Sequence, residues 1–289
     1  MTNKPLSPVV LEATLIAGFV ASLRSIGKIS NSSILAYQCD LIALESWLSE
    51  NNSDLLSIDN RAINQYLLFR MSAGYKASSN ARLLSSIKKF YRYLVGLQLM
   101  TSDPSFAIVP PKVLSKPVKV LSELQLETLM AVPNIDQFIG LRDRAMLEVL
   151  CSTGVKVSEL IELRLSDVNF GTAMIKVKTA NNSIRSVYLT PQCCRWLKKY
   201  QSSARQAFII KQDSDLLFLS QRGLKMTRQT FWYRIKGYAV SAKLDFVVSA
   251  QALRRSFAVH LLREGIELPV VQQVLGHSKI ASTNKYTNV

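Results

Sequence analysis

The chain has 289 residues, 48% of them hydrophobic, so it is long enough for two domains that each bury a core without disulfides or metals. No run of about 18 or more uncharged apolar residues occurs, so no membrane span is expected. The net charge of +16 is uneven: residues 1–111 carry ten Lys and Arg against seven Asp and Glu, residues 112–289 twenty-six against thirteen. Such an excess favours a polyanion, whose phosphates release counterions when neutralised, although ribosomal and membrane-surface proteins share it.

The opening MTNKPLSPVV lacks the basic, long apolar and small-residue segments of a secretory signal, and a cytoplasmic protein is expected. Apolar residues then recur at three- and four-residue spacing over 9–25, 32–50, 58–73 and 77–98, which predicts a small bundle of four helices. In the fourth, Leu83, Leu84, Ile87, Phe90, Tyr91 and Leu94 form one stripe. Lys88, Lys89 and Arg92 lie off it, on a face open to solvent or to a DNA backbone. Pro104, Pro110, Pro111 and Pro117 follow with no helical period and read as an extended linker. The expected division is a helical domain over 1–108, a linker over 109–120 and a second domain over 121–289.

Ser122 and Gln125 have the spacing of a capping box that opens the second domain. Helices over 137–152 and 156–162 come next. The stretches 173–178 and 184–189 alternate in polarity about the turn-prone 180–183, which predicts a β-hairpin. Thr190-Pro191 supplies a cap and a first-turn proline for another helix. Helices near 227–242, 250–264, 269–275 and 279–286 complete a mainly α chain with a small antiparallel sheet. Cys39, Cys151, Cys193 and Cys194 show no metal-ligand spacing, and His260 and His277 do not complete one, so ordinary thiols and no metal are expected.

Three residues late in the chain suggest a reaction: Arg254 in LRRSFAVHLL, His277 in VLGH, and Tyr286. A phenol with a pKa of about 10 is only about one part in a thousand ionised at neutral pH. To attack a phosphodiester it needs cations on the non-bridging oxygens and a proton carrier. Arginine, always charged and forked, suits the first task, and histidine the second. A lysine beside the leaving oxygen can serve as general acid. A DNA-binding regulator would account for the charge and the terminal helices, but not for these three residues in this order.

Through CSTGVKVSELIELRLSDVNF, MTRQTFWYRIKGYAV and ALRRSFAVHLLREGIELPVVQQVLGHSKIASTNKYTNV the chain resembles the tyrosine site-specific recombinases of the phage integrase family, in their Xer branch. The resemblance runs over nearly the whole chain. It implies a mainly α, two-domain DNA clamp, with an N-terminal four-helix SAM-like core-binding domain and a C-terminal α-rich catalytic domain with a small antiparallel sheet. It also implies that four subunits, of one kind or two related kinds, hold two duplex recombination sites. The tyrosine forms a 3′-phosphotyrosyl link and frees a 5′ hydroxyl, which attacks the partner strand through a Holliday junction. No metal, nucleotide or other cofactor is required. Resolution of chromosome or plasmid dimers, a nucleoid location and a DNA translocase as partner belong to the same implication.

Carried over residue by residue, Tyr286 falls on the nucleophile, Arg254 on the second catalytic arginine and His277 on the histidine after Leu-Gly. His260 aligns outside the catalytic set. Three positions depart from the pattern. The motif Thr-Gly-Leu-Arg-Val-Ser-Glu-Leu stands as TGVKVSEL, so Lys156 replaces the first arginine and keeps the charge without the fork. Gln251 replaces a histidine and can hydrogen-bond but not shuttle a proton. The turn lysine that protonates the leaving 5′ oxygen falls on Ala180, and Lys178, on the same strand face, is the candidate substitute. Xer proteins usually continue past the nucleophile into a helix that packs into a neighbouring subunit, whereas only Thr287, Asn288 and Val289 follow here, so weaker subunit coupling is expected. Two expectations stand: an active strand-exchange recombinase, or an impaired homologue that binds DNA or a partner recombinase without efficient cleavage.

Overall fold

The apolar spacing read from the sequence becomes helices whose ends lie within two residues of those expected. The computed structural model describes residues 8–27, 29–112, 119–179, 183–209 and 214–287, with side chains from Thr14 onward. Ala180, and residues 113–118 of the expected linker, therefore lie outside the described residues. The chain divides into two compact units, Met1–Lys116 and Pro117–Val289.

In the first unit, α1 (Pro8–Ile26), α2 (Asn31–Glu50), α3 (Asn60–Ser72) and α4 (Ala77–Gly96) surround one core. Ser30 caps α2 by accepting the Ser33 N–H, and Asp59 caps α3 by accepting the Ala62 N–H. The whole predicted stripe of α4 is buried, against Phe19, Leu41, Leu44 and Leu48. Lys89 and Arg92 are exposed and Lys88 is half-buried. A polar tie joins α2 to α4: Arg82 donates to both oxygens of Asp40 at 2.5 and 2.8 Å, and Ser86 Oγ donates to the same carboxylate at 2.8 Å.

The second unit opens on α5 (Glu123–Ala131). Its capping box is the one expected: Ser122 Oγ accepts the Gln125 N–H at 3.2 Å, and Gln125 Oε1 accepts the Ser122 N–H at 3.1 Å. At the centre runs α6 (Phe138–Thr153), which buries Leu141, Ala145, Met146, Leu147, Val149 and Leu150. It packs against α8 (Pro191–Ser203) and α10 (Ala250–Arg263). Thr190 caps α8, leaving Cys193 in the core and Cys194 half-buried.

Between α7 (Val157–Leu160) and α8 lies an antiparallel sheet of order β1-β2-β3, with β1 at Val168–Asn169, β2 at Met174–Lys178 and β3 at Ile184–Tyr188. Ile175 and Val177 of β2 face the core, opposite Val187 and Arg185 of β3. The two-residue β1 is too short to show alternation, so only the hairpin was expected. Three more helices follow: α9 (Arg228–Ser241), α11 (Leu268–Leu275) and α12 (Ala281–Asn284). The last is shorter than expected, because Tyr286 and Thr287 continue in turns that bond back to Thr283 and Asn284. Among the described residues no helix is long and apolar enough to cross a membrane, and no group of three or more His, Cys, Asp or Glu could hold a metal.

Candidate active site

Ser249 starts α10 by accepting the Ala252 N–H, and the helix buries Ala252, Leu253, Ser256, Ala258 and Val259. That face carries Arg254 inward, to 5% exposure. Its Nη1 donates to the Gly154 carbonyl, and its Nη2 donates to the Leu275 carbonyl at 2.7 Å and to His277 Nε2 at 3.0 Å. Gly154 caps the end of α6, and Leu275 is the last residue of α11. The buried cation thus satisfies carbonyls that two helix ends leave unpaired, at the negative poles of both dipoles. Burial pulls the Arg254 pKa below its ordinary value, and the nearby Glu159 and Tyr286 act against that pull.

His277 reaches Arg254 because α11 stops on Gly276 in the left-handed region, at φ 66. A Cβ there would lie 2.8 Å from Arg185 Nη1, so both the turn and the close approach need glycine. Arginine only donates, so His277 Nε2 accepts, and Nδ1 carries the hydrogen that it donates to Thr283 Oγ1 at 2.8 Å. Burial, and then the charges of Arg254, Lys285, Lys156 and Arg185, lower the His277 pKa to about 4. The imidazole is therefore neutral at pH 7. Tyr286 is 4% exposed, packed with Ala258, Val259, Val271 and Leu275, and its ring stacks on His277 at 6.2 Å between centroids. Lys285 Nζ stands 5.3 Å from the centroid of the same ring.

The N-cap of α7 is Lys156, whose side chain is 48% exposed. Its N–H donates to Glu159 Oε2 at 2.8 Å, and its Nζ lies 3.9 Å from Glu159 Oε1. Glu159 is buried, which alone would raise its pKa. Hydrogen bonds from Arg185 and the Lys156 N–H, with the charges of both residues, outweigh burial and lower it. Gln251 sits exposed on the first turn of α10, in a groove with Thr227, Arg228 and Trp232. Lys178 is exposed at the end of β2, on the face of Lys176, and lines a groove of about 580 Å³ that Glu159 also borders.

The structure therefore brings together Arg254, His277 and Tyr286, with Lys156 near enough to act on His277 through its charge. Gln251 and Lys178 border separate grooves. His260 bonds the Leu121 carbonyl at 3.1 Å. Sequence reasoning missed Glu159, Arg185 and Thr283. A signal existed for Arg185, a charge two residues from Val187 on the inward face of an alternating strand.

Residues 119–289 match the phage integrase family, and residues 16–96 match the phage integrase N-terminal SAM-like domain. The chain is 40% identical over 276 residues to the tyrosine recombinase XerD of Yersinia pestis, covering 95% of this chain and 92% of that protein. It is 42% identical over 276 residues to XerD of Proteus mirabilis, covering 95% and 88%. Its fold matches the crystal structure of the XerH site-specific recombinase bound to difH substrate, with a TM-score of 0.72 and 19% identity over 88% of this chain and 76% of that one.

Proposed function

The chain belongs to the phage integrase family, and we propose that it is a Xer-like site-specific recombinase that cuts and rejoins DNA through a 3′-phosphotyrosyl intermediate. The observation that carries this reading is the contact of half-buried His277 with both buried Arg254 and buried Tyr286. The XerH relative was crystallised on its difH substrate, which supports a duplex recombination site as the partner here. Resolution of chromosome or plasmid dimers, a tetramer of like or related subunits, a DNA translocase and a nucleoid location complete the proposal.

In the reaction, Tyr286 Oη attacks phosphorus, the bond from phosphorus to the 5′ oxygen breaks, and the phenol proton leaves to a base. Arg254 and Lys156 stabilise the charge that grows on the non-bridging oxygens. A phosphate entering the site draws the Arg254 donors from His277, freeing Nε2 to take a proton and, once protonated, to donate a hydrogen bond to the phosphate. Gln251 offers a hydrogen bond where the family has a histidine. Ala180 has no proton to give, so Lys178 is assigned to the leaving 5′ oxygen.

A nicked duplex carrying a dimer-resolution site traps the covalent intermediate. The expected result is a protein–DNA adduct that Tyr286→Phe abolishes. Tight binding with no adduct under any condition would leave an impaired homologue in place of an active enzyme. Each missing proton-transfer group costs about 10²–10⁴ in rate, so Lys156→Arg, Gln251→His and Ala180→Lys together should raise adduct formation.

A further inference from the structure

We propose that Arg185 is a positioning residue of this site, tying α7, which carries Lys156, to the end of α11, from which His277 extends. The inference rests on the site assigned above. The Arg185 side chain is 10% exposed and spends a donor on each nitrogen: Nε on the Val274 carbonyl at 2.9 Å, Nη1 and Nη2 on Glu159 at 3.1 and 2.7 Å. Its guanidinium also occupies the space that a Cβ on Gly276 would need. One side chain thus touches the carboxylate that holds the Lys156 N–H and two of the three residues before His277. Because its fork is already committed inside the fold, Arg185 acts on the reaction through Lys156 and His277.

Charge gives the arrangement a second purpose. Glu159 is a buried carboxylate whose charge reaches Arg254 and which lies 3.9 Å from the Lys156 ammonium. Left unpaired, it would compete with a phosphate for both cations. The two-pronged bond from Arg185 neutralises it and leaves Arg254 and Lys156 as the positive charge facing the substrate.

The test uses the full chain with Arg185→Met and Arg185→Lys, checked for cooperative melting. Adduct rate on the nicked site, affinity for uncut duplex, and a titration of ¹⁵N-labelled histidine without DNA are compared with wild type. Arg185→Met should lower the adduct rate about ten- to hundredfold, with DNA affinity changed by less than about twofold. Its His277 midpoint should move up from about 4 toward the ordinary 6.5, as the loop loosens and a cation is lost. Arg185→Lys, which keeps the charge but cannot span all three acceptors, should fall between.

An unmoved His277 midpoint with a wild-type adduct rate would overturn the proposal. So would a rate loss matched by an equal loss of DNA affinity. If Arg185→Met does not fold, wild-type behaviour of Arg185→Lys in both readouts overturns it. Should wild type itself form no adduct, the recombinase reading fails, while the DNA-free titration still decides whether Arg185 holds His277.

Discussion

Burial, together with Arg254, Lys285 and Lys156, holds the imidazole of His277 neutral at a pKa of about 4, against an ordinary 6.5. Between those two values the unfolded chain binds a proton that the folded chain refuses. Stability therefore rises with pH across that window and is lost as pH falls through it. Glu159, with a lowered pKa, adds a loss of the same sign once the pH drops below its ordinary 4.5. Urea unfolding of the full chain from pH 7 to pH 4 should show this decline, and His277→Gln should flatten the part above about pH 4.5. An unchanged slope in the variant would place the proton elsewhere. A phosphate bound to Arg254 adds negative charge beside the same ring, so DNA binding near pH 5 should take up a proton, measurable by calorimetry in buffers of different ionisation enthalpy.

Two glycines, one just past the end of a helix and one inside a helix, predict opposite outcomes for the same substitution. Gly154 ends α6 at φ +59, and a Cβ there would meet Phe257 Cδ1 at 2.3 Å and Leu275 Cδ2 at 3.0 Å. Its carbonyl is also an acceptor for Arg254. Gly154→Ala should cost about 2–4 kcal/mol, from the left-handed backbone and overpacking, and slow adduct formation as well. Gly237 is exposed within α9 with nothing within 4 Å of its Cβ position. Gly237→Ala should stabilise by about 0.4–1 kcal/mol, and thermal melts of the two variants check both signs. The contrast also marks what was legible beforehand. The helices were legible because apolar spacing and caps are local, as in the Ser122–Gln125 box. The trio was picked out by its order and residue types, which suit the proposed chemistry, and the structure brings its three side chains together. What holds Arg254 was not, since its carbonyl acceptors lie 100 and 21 residues away and any residue type supplies a carbonyl. Glu159 and Arg185, 26 residues apart, meet only through the packing of α7 against the hairpin.

Across the molecule, the +16 charge is useful to a polyanion only where cations remain uncommitted inside the fold. Arg142, Arg185 and Arg205 are committed to carboxylates or carbonyls, whereas Lys176 and Lys178 are exposed on one strand face. If six to ten phosphates are neutralised, log K against log salt should slope at about −5 to −9. A flat response would assign the basic excess to something other than DNA. Lys178→Ala then separates two roles that charge alone confounds. A lysine that only contacts phosphate would reduce the slope by about 1 and weaken cleavage in proportion to binding. A lysine that protonates the leaving 5′ oxygen would cost a further factor of about 10²–10⁴ in cleavage after correction for occupancy. That excess should vanish on a substrate whose 5′ leaving oxygen is replaced by sulfur, because a thiolate departs without a proton. Lys176→Ala, on the same face two residues away, should show the change in slope without the excess.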